Sequence, residues 1–219
     1  MQNENYIALG VMSNNRETYI AGKNTRADWI ALRDTLIVGV PNGWDKAFTE
    51  FFEARLKLRY LDPIQVLQDK RTSNGEGFSI VAIQCSLIEF FESMEQGKNY
   101  RHCNRGEQPA QFEYSKSKKL FVKFLSTQPP FSEAFSEGAA EDFYANVRCG
   151  LVHEARTKNG WRILANDTNG RFVSVADRIV YRNDFQLAIK SYVRAYGQKL
   201  PNDPALQEAF IRKFNSLTE

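Results

Sequence analysis

Two histidines occur in the 219 residues, His102 and His153, so any imidazole chemistry rests on one of them. His153 closes the stretch FYANVRCGLVHE, five residues after Arg148 and four after Cys149. An imidazole with an ordinary pKa of about 6.5 can take or give a proton near neutrality. A guanidinium is permanently charged, planar and suited to holding a phosphate through parallel N–H bonds. The two together pair a proton carrier with an anion binder. On an ideal helix five residues put Arg148 and His153 about 140° apart. They share a face only where the helix bends or ends, and Gly150 between them offers a place to bend.

Other chemistries use the same residues. His102-Cys103 with Cys149-x3-His153 makes four zinc-type ligands, although adjacent side chains seldom both reach one ion. Cys149 can act as a nucleophile with His153 as base, but it lies inside a helix rather than at an exposed helix start. In a purely structural role, His153 caps carbonyls at a helix end and Arg148 lays its stem on the core and pairs with Glu154 or Asp142. No phosphate-cradling glycine loop, GxSxG elbow or acidic metal cluster is present, which disfavours nucleotide kinases, α/β-hydrolases and two-metal nucleases. The expectation is chemistry with no metal and no cofactor.

The helix carrying these residues is predicted after Gly138, where Ala140, Phe143, Tyr144, Val147 and Leu151 repeat at helical spacing and must face a core. Upstream, Phe48, Phe51, Phe52, Leu56, Leu58 and Leu61 predict a helix from Asp45 that ends or kinks at Asp62-Pro63. After the turn-rich RTSNGEG, FSIVAIQCSLIEFFESMEQG is apolar almost all round and belongs in the core. Its polar strip, Cys85, Glu89, Glu92 and Gln96, must face water, a partner or a site. Glu89 and Glu92 are therefore candidates to orient Arg148 or His153, against the plainer reading of a solvated face.

Residues 97–115 read as polar loop, Lys116–Leu125 as a short helix before Pro129-Pro130, and NGWRI, GRFVSVA and DRIVYR as two or three short strands. Asn183 or Asp184 can start a helix to about Tyr196, and Asp203-Pro204 signals a last helix to about Leu217. Residues 1–43, with short apolar runs such as Tyr6–Val11 and a short helix near 26–35, form an N-terminal extension. The sum is a mainly α chain: a helical domain over 44–219 with a small β-hairpin insertion at about 158–182.

Composition bounds the rest. At 42% hydrophobic and 25% charged residues, the chain can bury a core without disulfides or metals. Its three cysteines, odd in number and without CxxC, fit reduced thiols. The N-terminus lacks a basic start followed by an apolar block, and no uninterrupted apolar run reaches membrane-spanning length. A cytoplasmic protein with no membrane association is the expectation. Net charge is only +3, yet residues 148–194 carry nine basic against four acidic side chains. Such a segment can attract phosphates, and Arg156, Lys158 and Arg162 are placed to track a nucleic-acid backbone.

The Arg148-x4-His153 motif, two long helices before it and helix after it, resembles the HEPN family, whose ribonuclease members carry Arg, four to six residues, then His. The resemblance spans roughly 45–197. It implies a HEPN-like helical bundle that dimerises, so that Arg148 and His153 of each protomer meet in one cleft. It also implies metal-independent endoribonuclease activity, in toxin or antiphage roles, with RNA as substrate and an antitoxin protein as a candidate partner. Many family nucleases have a small polar residue, often Asn, directly after the Arg; here it is Cys149. That departure bears on activity more than on fold, and the alternative it favours is a non-catalytic HEPN-like module that binds nucleic acid or nucleotide, or dimerises.

Overall fold

The computed structural model describes residues 18–69 and 75–219; the apolar run Tyr6–Val11 and the first part of RTSNGEG lie outside the described residues. An antiparallel pair opens the described chain, β1 (Tyr19–Ala21) and β2 (Asn24–Thr25), with Gly22 in its turn at φ 58°. Thr25 caps α1 (Arg26–Arg33): its hydroxyl accepts from the Asp28 N–H while the Asp28 carboxylate accepts from the Thr25 N–H, a reciprocal capping box. Trp29 of α1 is fully buried against Phe51 and Phe214, and its Nε1 donates to Asn215 Oδ1 at 2.9 Å. Residues 19–33 thus share the core of the helical domain instead of standing apart from it.

Helical turns then run unbroken through Trp44–Ala47, Phe48–Glu53, Ala54–Leu56, Lys57–Leu61 and Asp62–Asp69, together α2. Of the end or kink expected at Asp62-Pro63, the end does not occur. Proline has no N–H to donate, and its ring crowds the carbonyl four residues back. Lys57–Leu61 is a π-type turn, whose wider bonding pattern relieves that conflict and lets the helix continue to Asp69.

Next come α3 (Glu76–Gln96), a parallel pair of two-residue strands β3 (Asn99–Tyr100) and β4 (Glu113–Tyr114), and α4 (Ser117–Thr127). The segment 97–115, read as loop, is pinned by that pair. The motif helix α5 runs through Glu137–Phe143, a π-type turn Tyr144–Arg148, and Cys149–Glu154. Strands β5 (Arg162–Leu164), β6 (Val173–Ser174) and β7 (Ile179–Tyr181) follow, then α6 (Arg182–Lys199) and α7 (Pro204–Leu217). The β insertion is a hairpin of β6 and β7 with β5 added parallel on the other side of β7. Asp203 caps α7 as expected, accepting from the Leu206 N–H at 3.0 Å. The fold is mainly α with a small β insertion.

α3 packs against α2, α4, α6 and α7. Among the described residues it is long and apolar enough to cross a membrane, yet 61% of that stretch is buried between the other helices, so it is the core helix. Rings dominate the packing: Phe52 stacks on Tyr196 at 4.7 Å, and Phe91 meets Phe124 and Tyr192. The polar strip of α3 does not face water as a whole. Cys85 and Glu92 are buried at 2% and 0% exposure, because neighbouring helices close over the strip, and only Glu89 and Gln96 stay half-buried.

Candidate functional site

The apolar stripe of α5 (Ala140, Phe143, Val147 and Leu151) is buried, which fixes which way its other faces look. Trp161 locks the helix to the β insertion: its Nε1 donates to Asp142 Oδ2 at 2.8 Å and its ring meets Phe143 edge-on at 5.2 Å. The π-type turn at Tyr144–Arg148 brings residues five apart into register, and Tyr144 interacts with Cys149 across it.

Arg148 is brought to α3. Its Nη2 lies 3.7 Å from Glu89 Oε2, both side chains about four-fifths buried, and its guanidinium sits 5.4 Å from the centre of the Tyr144 ring. The separation from Glu89 exceeds hydrogen-bonding range, so the carboxylate balances the charge without occupying the N–H groups. Glu89 is held in turn by Tyr114, whose hydroxyl donates to Oε1 at 3.0 Å. Burial first and the Glu89 carboxylate second hold the Tyr114 pKa well above the usual tyrosine value, which keeps that hydroxyl a donor. Tyr144 is shifted upward as well, chiefly by burial, with Arg148 opposing. Behind the site, burial pushes the Cys85 thiol up to about 12, so it is neutral and unreactive as a nucleophile. Of the carboxylates expected to orient the motif, Glu89 meets Arg148. Glu92 turns elsewhere, to Lys123 Nζ at 2.9 Å and Gln96 Nε2 at 2.5 Å.

His153 is exposed on the final turn of α5, and no side-chain hydrogen bond or ion pair engages it among the described residues. Arg148 is thus engaged at α3 while His153 stands exposed at the end of the same helix. Gly150 has a packing role. A Cβ there would meet the Arg156 carbonyl at 2.4 Å, so Gly150 exists to let the 155–158 loop fold back onto the helix, where Arg156 N–H bonds Gly150 O. The helix ends just beyond, at Ala155 with φ 52°.

The basic residues after the motif are partly self-neutralised. Arg156 reaches Glu154 Oε2 through Nε at 3.1 Å and Nη2 at 3.0 Å, and Lys158 pairs with Glu154 Oε1 at 3.3 Å. Arg162, on β5, is exposed and pairs with no carboxylate among the described residues. Cys149 and His153 are not joined by His102 and Cys103: no group of three metal-ligating side chains converges among the described residues. Tyr114, which sets Glu89, escaped the sequence reading because nothing in a polar loop marks a tyrosine as the partner of a residue 25 positions earlier.

No family model matches the chain, and no curated protein or solved structure is significantly similar to it.

Proposed function

We propose that the chain is a metal-independent endoribonuclease of HEPN type that works as a homodimer. The observation that carries this reading is the state of Arg148: partly exposed, charge-balanced by Glu89, and with its N–H groups left open to an anionic ligand. His153, exposed on the same helix, completes the pair when a second copy packs against α5. Exposed Val152 beside it gives that face an apolar contact.

The chemistry balances within the two protomers. One His153 takes the proton from the RNA 2′-hydroxyl as its oxygen attacks the adjacent phosphorus. The other gives a proton to the departing 5′-oxygen, and Arg148 stabilises charge on the non-bridging oxygens. The products are a 2′,3′-cyclic phosphate, or the 3′-phosphate it hydrolyses to, and a 5′-hydroxyl. Roles in toxin or antiphage systems, with an antitoxin as partner, belong to this proposal.

The test is incubation of wild type, Arg148→Ala and His153→Ala with a mixed RNA pool in EDTA, with the product ends analysed. Cleavage by wild type alone, leaving cyclic or 3′-phosphate ends, supports the reading. Cleavage by all three, or by none, removes it. Cys149 beside Arg148 favours a second reading, a binding module without catalysis, for which RNA affinity that depends on Arg148 without cleavage is the signature.

A further inference from the structure

The cleft beside Tyr114 holds about 340 Å³ and is lined by Lys98, Lys116, Lys119 and Lys123 among others. Lys123 is committed to the buried Glu92, whereas Lys98, Lys116 and Lys119 pair with no carboxylate among the described residues. Glu113, the acidic residue lining the cleft, is already matched by Arg101 at 3.2 Å. The cleft is thus a concave surface with uncompensated positive charge, which suits a chain of phosphates. Aromatic rings stand beside it. Tyr100 is 57% exposed, and its ring packs at 71° to the Tyr114 ring with the centroids 5.7 Å apart. Lysines along a groove with an exposed ring at its edge are the two components by which proteins hold single strands: the charges follow the backbone and the ring stacks on a base. A duplex, with its bases already stacked, has no use for the ring.

The cleft is also wired to the candidate site. Tyr114 lines it and donates to Glu89, and Glu89 is the counter-charge of Arg148. We infer that this cleft is a binding track for single-stranded polynucleotide, with Lys98, Lys116 and Lys119 on phosphates and Tyr100 stacked on a base, and that it leads the strand to Arg148. The track gives the ribonuclease reading its substrate path and rests on that reading only for the last step, delivery to Arg148. Binding itself stands or falls alone.

The experiment is fluorescence anisotropy with labelled single strands of about 20 uridines, the matching DNA strand and a blunt RNA duplex. It uses the full chain carrying His153→Ala, in EDTA, so that the probe survives. Three further variants are made in that background: Lys116→Gln with Lys119→Gln, Tyr100→Ala, and Tyr100→Phe. Far-UV circular dichroism confirms that each is folded, as the exposure of these side chains leads one to expect. Tyr100→Ala is expected to weaken single-strand binding by about 5- to 150-fold, the range for losing one stacked base, and Tyr100→Phe to restore it. The lysine pair is expected to lower the slope of log affinity against log salt by about 1.4, at about 0.7 per phosphate for single strands.

No binding by the parent, tighter binding of the duplex, or an unchanged affinity with Tyr100→Ala and an unchanged slope with the lysine pair overturns the track. RNA binding with these variant effects supports it, whether or not DNA binds as well. Binding with no cleavage by wild type overturns the nuclease and leaves the track standing; cleavage that is unchanged when the same lysine and tyrosine substitutions are made in the wild-type chain does the reverse.

Discussion

Lys213 offers a sharp test of the packing beside the site. It lies on α7 at 6% exposure, its Nζ donating to the Lys98 carbonyl at 2.8 Å and lying 5.9 Å from the centre of the Phe90 ring. Burial, with Arg55 adding to it and Glu89 opposing, lowers its pKa to about 8 from the ordinary 10.5. Below pH 8 the lysine is charged in both folded and unfolded chains, and the fold bears the full cost of burying the ammonium. Between about 8 and 10.5 the unfolded chain binds the proton and the folded chain does not, so this group makes stability rise with pH. At about 1.4 kcal/mol per pH unit, the rise over that window is ~3 kcal/mol.

Lys213→Met removes the ionisation and keeps the stem. At pH 7 it relieves the ~3 kcal/mol burial cost but leaves the Lys98 carbonyl without its donor, an opposing ~1–3 kcal/mol, so the net effect there is small. The difference between the two proteins is what decides. Urea unfolding at pH 7, 8, 9 and 10 is expected to show wild type gaining ~2–3 kcal/mol on the variant across the series. All other ionisable groups are common to both proteins and cancel in the difference. Parallel stability curves would refute the claim that Lys213 is a charged amine buried at neutral pH.

Gly197→Ala is expected to destabilise by ~1–3 kcal/mol, read as a lower melting temperature, because its Cβ would lie 2.7 Å from two atoms of the Phe48 ring. Trp161→Phe deletes the donor to Asp142 at 2.8 Å and is expected to cost ~1–3 kcal/mol in urea unfolding. On the ribonuclease reading, Glu89→Gln is expected to slow single-turnover cleavage by roughly 10-fold, ~1.4 kcal/mol, by loosening Arg148. Tyr114→Phe, which leaves the Glu89 to Arg148 attraction in place, is expected to cost less in the same assay.

Periodicity and capping chemistry made most of the helices legible: the Phe48–Leu61 repeat, the apolar 78–97 segment, the Ala140–Leu151 stripe and the Asp203-Pro204 start all correspond to observed elements. Failures came where a local rule met a long-range fact. At Pro63 a helix should end or kink, and it does not end there because a π-type turn before it eases the conflict. The strip Cys85, Glu89, Glu92 and Gln96 has solvent-facing spacing, but helices distant in sequence cover half of it. Gly150 reads in sequence as a place where the helix can bend, and the structure adds that it seats the Arg156 carbonyl, a contact no periodicity encodes. At the candidate site, Glu89 was legible only as one of two carboxylates that could orient Arg148 or His153, against a solvated face; Tyr114 and the lysine cleft depend on how residues 97–115 fold back, and that segment has no regular pattern to read.

The three tryptophans give the protein an optical signature of its own. Trp29, Trp44 and Trp161 are all buried, and each indole nitrogen donates to a fixed partner: Asn215, the Val40 carbonyl and Asp142. Native emission is therefore blue, and exposure of any of the three moves it toward the red. Trp29 reports the clasp between α1 and α7, while Trp161 reports the seam between α5 and the strands. Single-tryptophan versions thus divide one spectrum into two local clocks. Coincident shifts mark one cooperative unit, and an earlier shift at Trp161 marks a seam that opens while the rest of the chain holds.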